Sequence, residues 1–188
     1  MHKRLFDILF SLFLLLFFLW ILIIAWIISV LDTQTNGVFI QERIGRYGIK
    51  FKIYKLRTIT ISTQSMVISA SKTGRFFRKY KLDELPQLLN VLRGDMSIVG
   101  PRPDIPGYYD LLKGENRKIL DLKPGLTSFA AIKYFNEEYL LLVNENSQKF
   151  NDDVIFPDKV RLNLEYYYSH TFYGDLKIIW KTIFQKQE

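Results

Sequence analysis

From Ile8 to Leu31 the chain runs for twenty-four residues without a charge, and Leu, Ile, Phe and Trp fill most of that stretch. As an α-helix it would reach about 36 Å, against a bilayer hydrocarbon core of roughly 30 Å. Its apolar length exceeds the roughly 7 to 15 residues of a signal peptide, and no small-x-small cleavage site follows it. The sequence therefore predicts a membrane segment that stays on the mature chain. Lys3 and Arg4 flank one end, and a basic stretch opening with Arg43 and Arg46 follows the other. Positive flanks are drawn to the cytoplasmic side. Either the helix spans with two basic residues on the disfavoured side, or it dips in and returns as a hairpin on one leaflet.

Beyond the apolar run, Asp32 to Gly37 is polar and turn-rich and reads as a linker, which divides the chain into an anchor over 1–37 and a single domain over 38–188. The chain has no cysteine and only His2 and His170, which excludes a disulfide framework, thiolate metal sites, a Cys nucleophile and a His-rich zinc site. The net charge of +7 is unevenly spread. Between Val38 and Pro103 thirteen basic residues face four acidic ones, whereas Asp104 to Glu188 holds eleven basic and thirteen acidic. A basic middle implies an anionic partner such as phosphate groups, anionic lipid heads or nucleic acid. No nucleic-acid-binding signature accompanies the charge.

The segments Val38–Ile40 and Phe51–Lys55, joined by Gly45–Gly48, read as a β-hairpin. Ile59 to Gly74, rich in Ser and Thr and without periodicity, reads as a surface loop. Pro86 to Arg93 predicts a short helix with Leu88, Leu89 and Leu92 on one face and Gly94 as its stop. Gly100-Pro101-Arg102-Pro103 must be a rigid non-helical loop, because proline fixes φ and withholds a donor. Tyr139–Val143, Val160–Tyr168 and Leu176–Phe184 are candidate helices, the last with an apolar face suited to a membrane surface. The fold class is α+β: an N-terminal membrane-embedded helix, then a small helix-rich domain with a β-hairpin and surface amphipathic helices.

Asp83 and Glu84 stand together before Pro86 in the most basic part of the chain, between Arg78-Lys79-Lys81 and Arg93. Acidic residues in such a place commonly cap a helix. They can also act as nucleophile or metal ligand where neighbouring cations hold a phosphate. Arg102, locked between two prolines, suits bidentate phosphate contact better than surface solubility.

Taken together, Lys3-Arg4-x-x-Asp7, Gln41-Glu42-Arg43-Ile44-Gly45, Phe51 to Thr58, Leu82-Asp83-Glu84-Leu85-Pro86-Gln87-Leu88, Asn90 to Pro103, Lys123-Pro124-Gly125-Leu126-Thr127 and Asp175-Leu176-Lys177-Ile178 resemble the bacterial sugar transferase family, the monotopic polyprenyl-phosphate phosphoglycosyl transferases. The resemblance covers nearly the whole chain. It implies transfer of a sugar phosphate from a UDP-sugar to polyprenyl (undecaprenyl) phosphate, with release of UMP, at the cytoplasmic face of the bacterial inner membrane. By match to the family's motifs, Asp83 would be the nucleophile and carry a covalent phosphosugar, while Glu84 would help hold Mg²⁺. Lys55, Arg78 and Arg102, the last framed by Pro101 and Pro103, would surround the phosphates. The expected partners are the UDP-sugar, the lipid phosphate and inner-leaflet lipids, with no nucleic acid. The resemblance also implies a re-entrant anchor. The competing class is a membrane-tethered basic module that binds anionic lipid or nucleic acid without catalysis.

Three positions depart from the family's pattern. Leu19-Trp20 stands where a Ser-Pro break is common, so a reversal there has no proline to cause it. Ser128 to Tyr134 replaces a Gly-x-Ala-Gln-Val-Asn-Gly-Arg loop, and Asn163 stands where Asp is frequent.

Overall fold

The computed structural model describes residues 2–61 and 68–184. The chain divides into two compact units, one of residues 1–42 with 51–94 and the other of residues 43–50 with 95–188.

The first unit is built on α1 (His2–Thr33), a helix long and apolar enough to cross a membrane. Its buried residues are Asp7, Ser11, Ala25, Ser29 and Thr33, a polar and small stripe at helical spacing. Leu12, Phe13, Leu16, Phe17, Trp20, Ile23 and Ile24 on its other faces are exposed. The stripe is held by protein partners. Ser29 Oγ donates to Arg57 O at 2.6 Å, and Ser71 Oγ donates to Asp32 Oδ2 at 2.5 Å. Near the other end, Arg4 donates to Val91 O at 2.6 Å and to Leu92 O at 2.9 Å. Both ends of α1 are thus tied to one unit. The helix runs unbroken across Leu19-Trp20, where the re-entrant reading expects a reversal; without proline or another backbone interruption the hydrogen-bond ladder continues through.

β1 (Val38–Ile44) and β2 (Lys50–Leu56) pair as the expected hairpin, closed by a 3-10 turn over Arg46–Gly48. The stretch read as a surface loop from Ile59 to Gly74 is more ordered than that. β3 (Ile59–Ile61) pairs antiparallel with β4 (Ile68–Ala70), and α2 (Lys72–Lys79) follows; residues 62–67 of that reading lie outside the described residues. β-Branched residues at both strands outweigh the Ser/Thr composition, and Ser71 starts α2 by accepting from Gly74 N–H at 2.8 Å. A 3-10 turn over Leu82–Gln87 runs into α3 (Leu88–Arg93), which Gly94 ends at φ 96°. Of the predicted leucine face, Leu88 is buried and Leu92 half-buried, with Val91 and Asn90 inside beside them, while Leu89 is 42% exposed. The unit's core joins Ala25, Leu56 and Phe77, with Leu22, Ile28 and Leu82 packed against them.

In the second unit β5 (Ser97–Val99) and β6 (Gly125–Thr127) pair in parallel. Helices α4 (Phe129–Lys133), α5 (Glu137–Leu142), α6 (Ser147–Phe150), α7 (Phe156–Ser169) and α8 (Phe172–Ile183) follow, so the three helices expected in this region form. The core gathers Ile44, Tyr109, Ile119, Leu120 and Val160. α8 leaves Phe172, Tyr173, Leu176, Trp180 and Ile183 exposed, one continuous apolar face.

Candidate active site

The first unit brings together Lys55, Arg78, Asp83 and Glu84. Lys55 is near the end of β2, and Arg78 is in the last turn of α2. Between α2 and the next 3-10 turn the chain reverses through Tyr80 and Lys81, the latter in the left-handed region at φ 55°. Glu84 N–H donates back to Lys81 O at 3.2 Å. This tight reversal folds the cationic end of α2 toward the two carboxylates.

Asp83 does not serve as a cap. Lys81 holds the capping position without a side-chain bond, and among the described residues the buried Oδ1 of Asp83 has no hydrogen-bond partner. The side chain is only 8% exposed. Burial raises its pKa, the neighbouring Glu84 carboxylate raises it further, and Lys55, Lys81 and Arg78 pull it down; the balance leaves it at about 6. Asp83 is thus an ionisable group poised just below neutrality, in the company of three cations. Glu84 pairs with Lys55 at 3.1 Å.

Four residues later Gln87 is buried and its Nε2 has no partner among the described residues. A buried acceptor and a buried donor without partners carry a desolvation cost that a polar ligand relieves. Neither Gln87 nor Lys81 stands out in the sequence as a site residue. No local pattern marks the burial of Gln87 or the left-handed backbone at Lys81.

Among the described residues no group of three His, Cys, Asp or Glu side chains could hold a metal ion. Mg²⁺ is commonly held by one or two carboxylates with substrate phosphates and water supplying the rest. The adjacent Asp83 and Glu84, with an orphaned buried oxygen, fit that mode.

Arg102 belongs to the second unit, and the loop that carries it is pinned at both ends. Gly125 N–H donates to Pro101 O at 2.8 Å and Gly100 N–H to Thr127 O at 3.0 Å, while Ile44 N–H donates to Asp104 O at 2.9 Å. Pro101 and Pro103 are buried and Arg102 is half-buried. The strands meet where only glycine fits: a Cβ on Gly125 would lie 2.1 Å from Gly100 N, and one on Gly100 2.3 Å from Lys123 O.

Both departures in this unit include a residue with a structural hydrogen bond. Ser128 caps α4, accepting from Ala131 N–H at 2.9 Å. Asn163, 1% exposed, donates from Nδ2 to the Tyr109 hydroxyl at 2.8 Å. Burial pushes the Tyr109 hydroxyl well above its ordinary pKa, so it stays protonated.

Comparison with known proteins places the chain. The bacterial sugar transferase family model matches residues 1–187. An uncharacterized sugar transferase of Bacillus subtilis, EpsL, is 34% identical over 96% of this chain and 85% of that protein. A UDP-glucose:undecaprenyl-phosphate glucose-1-phosphate transferase of Caulobacter vibrioides is 30% identical over 97% of this chain and 68% of its own length. A protein of Klebsiella pneumoniae with the same name is 34% identical over 97% of this chain, which spans only 39% of it.

Proposed function

This chain is a member of the bacterial sugar transferase family, and from that premise we propose that it moves a sugar phosphate from a UDP-sugar to polyprenyl phosphate through a covalent intermediate on Asp83. The observation that carries the reading is the condition of Asp83, buried, with an unpartnered oxygen and a pKa of about 6. A passive basic surface has no use for such a carboxylate. A nucleophile does, since ionisation near neutral pH and partial desolvation both favour attack. Relatives named as undecaprenyl-phosphate sugar-1-phosphate transferases support the acceptor.

In the first step a carboxylate oxygen of Asp83 attacks the phosphorus that bears the sugar. A new O–P bond forms, the bond from that phosphorus to the bridging oxygen breaks, and its electron pair leaves with UMP. In the second step an oxygen of the lipid phosphate attacks the same phosphorus, the acyl phosphate bond breaks, and Asp83 recovers its carboxylate. The product is a polyprenyl diphosphate sugar. Attack of an anion on an anionic diphosphate requires charge neutralisation and positioning above all. Lys55, Arg78 and Lys81 lower the charge around Asp83, and Gln87 offers a buried donor. In this reading Arg102, carried by the pinned loop, contacts phosphate oxygens as a fork. Glu84, beside Asp83, would help hold Mg²⁺, which would supply further neutralisation of the diphosphate.

The anchor suits a lipid-borne acceptor. In this reading both ends of α1 lie on the cytoplasmic side of the inner membrane, and α1 stays within one leaflet. The attachment of Arg4 and Asp32 to the same unit supports this. So does the supply of UDP-sugars, which are cytoplasmic. The exposed apolar face of α8 suits a membrane surface. The test is UMP release by membranes containing the chain, supplied with a panel of UDP-sugars, polyprenyl phosphate and Mg²⁺. Release that needs both Mg²⁺ and Asp83 is expected; no release from any donor overturns the reading.

A further inference from the structure

Arg4 is positioned by sequence to orient the anchor, yet its guanidinium is spent on something else. Its two terminal nitrogens donate to Val91 O and Leu92 O, 87 and 88 residues away, at 2.6 and 2.9 Å. Those carbonyls are in the last turn of α3, where the dipole is negative and helix carbonyls run short of intrahelical donors; Val91 O also accepts from Gly94 N–H at 3.1 Å. A forked cation satisfies both needs at once.

The contact leads directly to the reacting pair. Asn90, the residue before Val91, is fully buried. Its Nδ2 donates to Lys52 O at 2.7 Å, and its Oδ1 accepts from Tyr54 N–H at 3.3 Å. This side-chain amide occupies one edge of β2 as a neighbouring strand would, and so sets the height of β2 against α3. The residue after Tyr54 is Lys55, which pairs with Glu84. Glu84 and Asp83 lie in the 3-10 turn that runs without interruption into α3. Leu14, Leu15, Phe18 and Leu22 of α1 meet Leu85 and Leu88 of the same segment, so the helix supports it along its length as well as at its end.

We propose that Arg4 is a positioning residue for the Asp83-Glu84 pair, acting from the membrane helix through the last turn of α3, Asn90 and β2. The anchor is then part of the catalytic scaffold as well as a tether. The proposal rests on the function proposed above for Asp83.

Arg4→Lys keeps the charge that orients the anchor and removes the fork, and Arg4→Gln removes both. Purified full-length chain in detergent or nanodiscs is followed by two readouts, UMP release and amide hydrogen exchange. Arg4→Lys should lower kcat about tenfold with KM for the donor within about twofold, and Arg4→Gln should lower it further. Both should increase exchange at the amides of residues 88–94 and 52–56 while the second unit exchanges as in wild type. Unchanged exchange in those two segments overturns the coupling, as does wild-type kcat per folded molecule in Arg4→Gln. A wild-type chain that releases no UMP refutes the proposed reaction instead, and the exchange data still decide whether Arg4 holds α3 and β2 in place.

Discussion

Lys55 Nζ lies 3.1 Å from Glu84 Oε1, and both charges act on Asp83 in opposite senses: Glu84 raises its pKa and Lys55 lowers it. The pair therefore tunes the Asp83 carboxylate.

Removing either partner should move the acid limb of the pH profile in a known direction. Asp83 must be ionised to attack, so UMP release in wild type should fall as pH drops through about 6. Glu84→Gln removes a charge that raises the Asp83 pKa, so the limb should move to lower pH. Lys55→Met removes one that lowers it, and the limb should move to higher pH. A pH series of initial rates for the three proteins checks this; shifts of the same sign in both variants would contradict it. Glu84→Gln should also raise the Mg²⁺ concentration needed for half-maximal rate, because a neutral oxygen binds a hard cation less well.

Asp83→Asn should stop turnover and make the protein more stable. The folded pKa is about 6, above the value of about 3.9 for an unfolded chain. A carboxyl whose pKa is raised on folding binds its proton more tightly in the folded state, so its ionised form costs stability at neutral pH. That cost develops as pH rises from about 4 to 6 and holds above. The gain in the variant should reach up to about 3 kcal/mol at pH 7.5 and vanish below about pH 4. Denaturant unfolding at both pH values measures it.

Arg102→Lys should lower activity at least about tenfold while the melting temperature stays within a degree or two, since a flexible point charge replaces a fork held by a pinned loop. Gly100→Ala should behave differently. Its Cβ would meet Lys123 O at 2.3 Å, so β5 and β6 must part and stability should fall by at least about 2 kcal/mol. Thermal melts run beside initial rates separate the two cases. Wild-type kinetics in Arg102→Lys would remove that residue from phosphate contact.

Tyr109→Phe should destabilise the second unit by about 1 to 3 kcal/mol, because the buried Asn163 amide loses its acceptor. Pairing the change with Asn163→Leu should recover part of the loss, as measured by a double-mutant cycle.

Much of the fold and of the site is legible in the amino-acid sequence. The apolar run, the hairpin around Gly45–Gly48, the helix ending at Gly94 and the rigid loop at Pro101-Arg102-Pro103 follow from hydrophobic length, alternation and the special backbones of glycine and proline. The family motifs single out Asp83, Glu84, Lys55 and Arg78, which the fold does bring together. The features that depend on distant partners are not legible. Nothing local marks Asn90 as a surrogate strand, Asn163 as the donor to Tyr109, or Arg4 as the clamp on Val91 and Leu92. Ser/Thr composition hides the strands at Ile59 and Ile68. Leu89 alone of the three leucines of α3 is exposed, and Asn90 and Val91 complete the buried face instead.

The central claim is that Asp83 carries the phosphosugar. Full-length chain is incubated with its UDP-sugar and Mg²⁺ in the absence of lipid phosphate, quenched in acid and followed as intact protein and as peptides by mass spectrometry. The account predicts one added sugar phosphate on the peptide that contains Asp83, none in Asp83→Asn, and loss of the adduct when polyprenyl phosphate is supplied. UMP release at full rate without any adduct, or an adduct on a residue other than Asp83, would contradict it.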